Sequence, residues 1–486
     1  MNLRYIQEPS LQFGSGQHLC PKSGIYTYQP YDDGQVRPDK ITIGIIGKSD
    51  SIDIVLEWLN DCKTHIEGKQ SKKGGNLHSN LFLNFCGFNK ELGFKSEIVY
   101  DDGYIRKINN SDFKSVIESN ADLESRIKLI ADLYLAEIKF LTKNKRPDVI
   151  LCVLSDNFIT LVQNDELGHE EDDEGGDKGE HQVNVDKEQI VEKEQNFRRY
   201  LKARAMQYNV PIQMLRDRIA HPSAGMQDPA TIAWNFFTAI YYKASGTPWA
   251  LIRKDVSDST CYAGISFYRS RDNKTMQTSI AQIFNEVGKG VILRGEEIKV
   301  DKYDRSPHMN EEQAFNLLSK SLKEYFDAVK VFPRRLVLHK SSNFSPDEIY
   351  GFKQAAKQVN IYQIDLITIM PSKLRLYREG NYAPLRGTHL KLSETRHLLY
   401  TRGSVPYFET YTGMYIPSPL EVRLFEHDES PNIICDEILA LTKMNWNNTQ
   451  FDRKFPITLE CARNVGEILK YLEPEDTMQL KYSFYM

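Results

Sequence analysis

The sequence predicts two successive α/β units, and three observations lead to this prediction. In the first half, short β-branched apolar runs alternate with segments of helical period, which is the pattern of an open, doubly wound parallel sheet. In the second half, three consecutive strand-like runs precede further alternation of strand and helix. The turn-forming segment 246–249 lies between the halves, so we assign the first unit to residues 1–250 and the second to residues 251–486.

The first unit begins with an apolar run at 41–47, which is too short for a helix, is bounded by glycine and indicates a buried parallel strand. Residues 164–188 have almost no apolar periodicity, so we expect a disordered surface insertion there. The other elements expected in this unit are strands at 81–85, 96–100 and 148–154 and helices at 51–62, 123–142, 197–208 and 234–242.

The second unit opens with three β-rich runs that are spaced like an antiparallel meander. A helix then leads into a parallel half, and two helices close the unit. This order is typical of a ribonuclease-H-like domain. The expected elements are strands at 261–268, 275–285, 290–294, 335–339 and 361–370 and helices at 310–329, 432–443 and 459–472.

Composition is that of a soluble, folded protein. Hydrophobic residues make up 41% of the chain, no apolar run approaches the ~18 residues that indicate a membrane span, and the first residues lack the apolar core of a signal peptide. The seven cysteines are odd in number and form no C-x-x-C pair, so we expect free thiols in a reducing compartment. The sequence therefore predicts a cytoplasmic protein.

The formal net charge of -4 argues at first against nucleic-acid binding. The charge is uneven, however, because residues 165–180 hold nine acidic side chains and one lysine, a local charge of -8. The rest of the chain therefore carries +4 and is mildly basic.

A group of basic and amide residues in the first unit is a candidate anion site. Arg198 and Lys202 stand four residues apart on an expected helix and so share one face. Gln213 follows a short Val-Pro-Ile run, and Lys243 ends a helix before a glycine turn. Taken singly, such residues are usually solvated surface groups. Together, the two lysines and the amide could converge on an oxyanion.

The spacing K-x(10)-Q, followed by Y-Y-K-x-x-G-x-P-W at 241–249, resembles the middle (MID) domain of Argonaute proteins. That resemblance implies a Rossmann-like MID domain in which Lys202, Gln213 and Lys243 bind the 5′ phosphate of a guide strand. Arg198 occupies the position where many relatives stack an aromatic ring or histidine on the first base. A guanidinium can stack or bind phosphate, so either role suits it.

The second half resembles the RNase H-like PIWI domain of the same family, in which active members hold two divalent metals with Asp, Glu, Asp and a final Asp or His. Here Ser266 and Ser341 stand where the first and second aspartates belong, and Glu467 falls at about the last position. A serine hydroxyl lacks the charge and the second oxygen of a bridging carboxylate. The sequence therefore predicts no target cleavage.

Two further expectations concern metal and catalysis. The resemblance implies that the carboxylate of Met486 reaches the guide-phosphate pocket and shares a structural Mg²⁺ there. As an alternative, the chain could be an active guide-dependent RNase H-like nuclease that uses non-standard carboxylates, such as Glu296, Glu297 or Glu467. A sugar- or nucleotide-binding α/β protein unrelated to nucleic acid is a second alternative.

The MID pattern begins almost at residue 1, without the N-terminal and PAZ domains of a full Argonaute, so the chain resembles a short prokaryotic Argonaute. The resemblance implies binding of a guide RNA and recognition of complementary single-stranded DNA from invading plasmids or phages. It also implies an APAZ-containing partner with a TIR or sirtuin-like NAD-destroying domain, or less often a nuclease. Activation, with assembly into higher oligomers, would give abortive-infection immunity.

Overall fold

The structure is a computed structural model. It describes residues 2–32, 37–70, 78–119, 121–155, 196–222, 226–252, 259–271, 274–284, 289–298, 307–380, 383–413, 416–450, 452–473 and 475–486. The acidic segment 164–188, for which we expect a disordered surface insertion, lies outside these residues.

The first unit is built on a parallel sheet, as predicted. Its central strand, β4 (Lys40–Gly47), pairs with β5 (Glu97–Val99), β6 (Ile105–Lys107) and β7 (Val149–Leu154). Strand β7 pairs in turn with β8 (Ile212–Arg216), so the spatial order is β5-β4-β7-β8. The central strands are buried, since Ile43 and Ile45 are fully inaccessible to solvent. The strands of the chain up to this point are β1 (Asn2–Tyr5), β2 (Leu11–Gln12), β3 (Gln17–His18), β4 (Lys40–Gly47), β5 (Glu97–Val99), β6 (Ile105–Lys107), β7 (Val149–Leu154) and β8 (Ile212–Arg216).

Helices cover both faces of this sheet, because alternate residues of β7 point to opposite sides. Val149, Leu151 and Val153 join the core formed with the helices Ser49–Asp61 and Pro229–Lys243. The opposite face packs against three other helices. In chain order the helices are α1 (Pro21–Tyr28), α2 (Ser49–Asp61), α3 (Asn110–Ile117), α4 (Leu123–Asn144), α5 (196–205) and α6 (Pro229–Lys243).

The strand expected at 81–85 is wrong, because this run packs against a helix instead of joining a ladder. Phe85 makes one isolated bridge, to Ile66, and its ring stacks 5.4 Å from that of Phe237. The main-chain oxygen of Asn84 accepts a hydrogen bond from the indole of Trp234 at 3.1 Å. This backbone oxygen, which a strand would use for pairing, is thus satisfied by a side chain.

The second unit contains a nine-stranded sheet in the order β1-β15-β16-β19-β14-β13-β10-β11-β12. Strands β10 to β12 form the predicted antiparallel meander, and β10, β13 and β14 are parallel. The strands are β9 (Ala250–Leu251), β10 (Thr260–Arg269), β11 (Met276–Phe284), β12 (Lys289–Ile298), β13 (Arg335–Lys340), β14 (Gln363–Pro371), β15 (Thr388–Lys391), β16 (Arg396–Leu399), β17 (Ser404–Val405), β18 (Thr410–Tyr411) and β19 (Leu420–Glu426).

Four helices pack on this sheet: α7 (Glu311–Val329), α8 (Pro346–Gln358), α9 (Pro431–Leu441) and α10 (Ile457–Leu469). Helices α7 and α8 both begin with capping boxes, which fix where each helix starts. Helix α10 crosses β10 at Gly264, where an added Cβ would lie 2.1 Å from the main-chain oxygen of Thr458. The missing side chain therefore allows close approach of helix and strand.

The first strand of the chain differs from the expected division at residue 250. Strand β1 pairs antiparallel with β15, so residues 2–5 belong to the sheet of the second unit. A buried ionic cluster holds the segment that follows: Glu8 accepts from the Arg386 guanidinium at 2.7 Å and lies 2.9 Å from the Lys443 amine. Because paired charges can be buried where lone charges cannot, this cluster positions the N-terminal segment.

All seven cysteines are buried and unpaired, as expected from their spacing. Among the helices of the described residues, none is long and apolar enough to cross a bilayer.

Candidate functional site

The predicted anion site lies around β8, where the last turn of α6 meets the final residues of the chain. Lys243 is 3% exposed. Its amine donates to three main-chain oxygens: Ile212 at 3.0 Å, Ser483 at 3.4 Å and Met486 at 3.0 Å. These three acceptors hold the amine at one point, because a buried ammonium requires partners.

Lys202 lies beside this amine on α5 and is half-buried. Burial, together with the nearby Arg198 guanidinium, lowers the pKa of Lys202 to about 7. Burial and the charge of Lys202 likewise hold the pKa of Lys243 well below its usual value. No hydrogen bond or ion pair of Lys202 is found within the described part of the chain. The two lysines therefore repel each other, and an anion between them would relieve that repulsion.

Gln213 and Arg198, the other two residues of the predicted anion site, both contact the main-chain oxygen of Met214. The Gln213 amide nitrogen donates to the Met214 oxygen at 3.1 Å, and an Arg198 guanidinium nitrogen lies 3.5 Å from the same oxygen. The Gln213 side-chain oxygen is buried, and no residue in the described ranges donates a hydrogen bond to it. The structure thus brings together the four residues that the sequence singled out, with Met486 beside them. Their role as phosphate ligands stays a prediction.

The Mg²⁺ expected beside Met486 stays a prediction. This ion prefers six oxygen ligands, usually with carboxylates among them. Here the main-chain oxygen of Met486 accepts from the Lys243 amine, so a protein cation already occupies the position beside it. Within the described ranges, no group of three His, Cys, Asp or Glu side chains is arranged to hold a metal. The side chains at this site suit an anion better than a cation.

A second location of interest is the carboxyl-terminal edge of the nine-stranded sheet, where β10 and β13 run in parallel. Ile265 pairs with Lys340, so the next residues, Ser266 and Ser341, lie at the same level of neighbouring strands. Ser266 is 5% exposed. The hydroxyls of these two serines carry no charge with which to bind a divalent cation. Their correspondence to catalytic aspartates stays a prediction.

The carboxylates considered for a metal site have other contacts. Glu467 is held by Lys470 at 2.6 Å and by Arg199 of α5 at 3.3 Å. Glu296 accepts from an asparagine amide on α7 at 3.5 Å, and Glu296 and Glu297 lie on β12, two strands away from Ser266. The described contacts do not join these carboxylates into one cluster.

The carbonyl groups that hold Lys243 could not be found from the sequence. Ile212 and Ser483 contribute main-chain oxygens, and residue type carries no signal for such a contact. Ser483 also lies 240 positions from Lys243 along the chain.

Comparisons with known proteins agree with the architecture described above. No family model matches the chain. A 249-residue region is 24% identical to an Argonaute of Aquifex aeolicus and covers 49% of this chain and 32% of that protein. The chain therefore spans only about a third of this curated relative.

Solved structures extend the likeness over the whole fold. Clostridium butyricum Argonaute, bound to a guide DNA and a 19-mer target DNA, matches 97% of this chain and 53% of its own, with a TM-score of 0.65 and 14% identity. Marinitoga piezophila Argonaute, in complex with a 5′-OH guide RNA, matches 100% of this chain and 59% of its own, with a TM-score of 0.58 and 14% identity. Drosophila Piwi matches 99% of this chain and 56% of its own, with a TM-score of 0.58 and 12% identity.

Proposed function

With the fold of the MID–PIWI part of Argonaute structures as the premise, we propose that this chain binds a guide nucleic acid by its 5′ end. Lys202, Lys243, Gln213 and Arg198 surround the 5′ phosphate. The observation that carries the proposal is the pair of adjacent lysine amines, one of which has no acceptor within the described residues. Such a pair is costly without an anion, whereas a phosphate supplies the charge and the acceptor oxygens.

In this proposal the protein anchors the guide, and the guide selects the target. Contacts to a terminal phosphate give affinity and position but no sequence information, and base pairing by the guide then selects the target. The protein itself need not recognise base edges. The relatives solved with guide DNA, target DNA or guide RNA support nucleic acid as the ligand class.

We infer further that the chain acts as a short Argonaute that does not cut. The guide is RNA, and the target is complementary single-stranded DNA. The absence of carboxylates at Ser266 and Ser341 supports the lack of cleavage. The enzymatic activity resides in a partner, an APAZ-containing effector with a TIR or sirtuin-like NAD-consuming domain. Activation of this effector in the cytoplasm stops growth of the invaded cell. Recording NAD levels in cells that carry the chain and its neighbouring gene, with and without an invading plasmid, tests this part.

The guide site is tested by changing Lys202 and Lys243 together to alanine and recovering small RNA from the purified protein. We expect the double variant to lose 5′-phosphorylated RNA. The matched control is Arg204→Gln, on the same helix as Lys202, because Arg204 already pairs with Asp476 at 2.7 Å. Unchanged RNA recovery by a folded double variant would contradict the assignment.

The chemistry of the guide end needs its own comparison, because one structural relative was solved with a 5′-OH guide RNA. Binding of 5′-phosphorylated and 5′-hydroxyl RNA of one sequence is measured with the wild type and with Gln213→Glu. The added carboxylate should repel the phosphate and abolish the preference for it. A wild type that prefers the 5′-hydroxyl form would refute the proposed role of the lysines.

A further inference from the structure

A cavity of about 660 Å³ lies at the amino-terminal edge of the nine-stranded sheet. Its wall includes the first residues of three parallel strands, Thr260 of β10, Arg335 of β13 and Gln363 of β14. Helix α9 and the N-terminal segment line its other sides. Because a strand rises ~3.3 Å per residue, the cavity lies roughly 20 Å from the level of Ser341, which follows β13. It is therefore separate from the edge that carries Ser266 and Ser341.

A buried ionic network forms one wall of this cavity. The Arg335 guanidinium donates to Asp365 at 2.6 Å and to the two oxygens of Glu437 at 2.6 and 3.0 Å. The second Asp365 oxygen accepts from the main-chain amides of Asp428 at 2.8 Å and Glu429 at 3.2 Å. Because Arg335 is paired with two carboxylates, it supplies no uncompensated positive charge to the cavity.

Negative charge predominates on the wall as a whole. Asp436 lies on α9 and pairs through one oxygen with Arg4 at 3.1 Å. Its other oxygen is buried, and no residue in the described ranges donates a hydrogen bond to it. A buried acceptor without a donor is costly, so the donor of a ligand would be stabilised at this oxygen. The charged side chains that line the cavity are four carboxylates and two arginines: Asp428, Glu429, Asp436, Glu437, Arg334 and Arg335.

Apolar side chains are exposed on the loops beside the cavity. Tyr362, which directly precedes β14, is 70% exposed, and Val331, in the loop that enters β13, is 63% exposed. Phe326 is partly exposed as well, and its ring stacks on that of Phe332 with 4.8 Å between centres. Strands β13 and β14 are parallel neighbours, so the loops that enter them lie side by side. Exposed apolar side chains around a concave site are typical of a protein interface.

We propose that this cavity, together with Val331 and Tyr362, is a docking site for a second polypeptide, which inserts a lysine or arginine side chain toward Asp436. Apolar side chains of the same polypeptide cover Val331 and Tyr362. The charge of the wall decides the class of partner, because carboxylates repel the phosphates of a nucleic acid and attract a basic side chain. Only a polypeptide combines such a cation with apolar side chains on one surface.

The position of the docking site separates partner binding from guide binding. Its residues include none of the four proposed to hold the guide 5′ phosphate, and the cavity opens at the edge of the sheet opposite to Ser266. The inference rests on the proposed function in one respect, because the effector subunit is the polypeptide that it assigns to this site. Guide loading and effector docking are therefore separate measurements on the same protein.

The test measures the affinity of the purified chain for the effector subunit encoded by the neighbouring gene. Tyr362→Asp and Val331→Asp change exposed side chains, so both variants should fold, and each should weaken the complex at least about tenfold. Asp436→Asn should weaken it as well and flatten its salt dependence, because a charge that salt screens has been removed. Leu129→Asp is the matched control, since Leu129 is 43% exposed on α4 of the first unit.

Wild-type affinity in Tyr362→Asp and Val331→Asp overturns the proposal, as does a wild type that forms no complex with the effector subunit. Loss of guide RNA by these variants, or a dimer of this chain that Tyr362→Asp dissociates, overturns it too, because the surface then binds a different occupant. The guide-end site is judged separately, by the preference for 5′-phosphorylated RNA. A retained preference with no docking refutes the docking site alone, and docking without a preference refutes the guide-end site alone.

Discussion

Replacement of Lys202 by methionine is expected to stabilise the unliganded protein and to weaken its binding of a 5′-phosphorylated guide. Methionine keeps most of the apolar stem of lysine but removes the ammonium, which burial and Arg198 disfavour. It also relieves Lys243, whose pKa is lowered in part by Lys202. Sites that are built for a ligand often carry such a stability cost when they are empty.

The magnitude follows from the pKa of Lys202, which falls from 10.5 to about 7. At 1.36 kcal/mol per pKa unit, this difference corresponds to roughly 4–5 kcal/mol at pH 7. The Lys202 side chain is only half-buried, so solvent screens a large part of this energy. We therefore expect Lys202→Met to raise the free energy of unfolding by about 1–3 kcal/mol. A unit of this size gains about 2–4 °C in Tm for each kcal/mol.

The stability of the protein and its affinity for the guide should change with pH in opposite directions. Between pH 7 and 10.5 the unfolded state binds more protons at Lys202 than the folded state, so wild-type stability should rise with pH in this window. The methionine variant should lose the part of this rise that comes from Lys202 and keep the part that comes from the burial of Lys243. Binding has the opposite sign, because phosphate requires the protonated amine. Wild-type affinity for the 5′-phosphorylated guide should therefore fall above pH 7, by at most about tenfold per pH unit.

The assay is thermal unfolding from pH 7 to 9, together with guide titration. Lys143→Met is the matched control, since Lys143 is an exposed lysine near the end of α4, and it should change neither measurement. A lower Tm for Lys202→Met, or an unaltered preference for the 5′ phosphate, would refute the reasoning.

Two further predictions concern the second unit. Glu8→Gln should destabilise the protein by about 3–5 kcal/mol, measured by denaturant unfolding, because Arg386 and Lys443 then remain buried without a carboxylate. Burial raises the pKa of Glu8, but the two cations outweigh burial and lower this pKa overall. The stability that the ionic cluster contributes is therefore present above about pH 4.5 and is lost in more acidic solution. Purified protein loaded with a guide should leave complementary DNA intact in magnesium or manganese, whereas guide-directed cutting would show that non-standard carboxylates form an active site.

Much of the fold could be predicted from the sequence, because local patterns carry it. The apolar run at 41–47 became β4, and the helix-period segment at 123–142 became α4, which begins where the Asp122 side chain caps the Ser125 amide. The prediction of a strand at 81–85 was wrong for a physical reason. An apolar run shows that residues are buried, but not whether their backbone pairs with a strand or their rings pack on a helix.

By itself, the sequence determined the order of the two α/β units and the shared helical face of Arg198 and Lys202. It also predicted that Ser266 and Ser341 stand in place of acidic residues. These features depend on residues that are neighbours in the chain or that match a motif. Only the tertiary structure decided that β1 joins the second sheet and that main-chain oxygens hold Lys243. Such contacts join groups far apart in the chain, and main-chain oxygens are the same in every residue, so no local pattern can encode them.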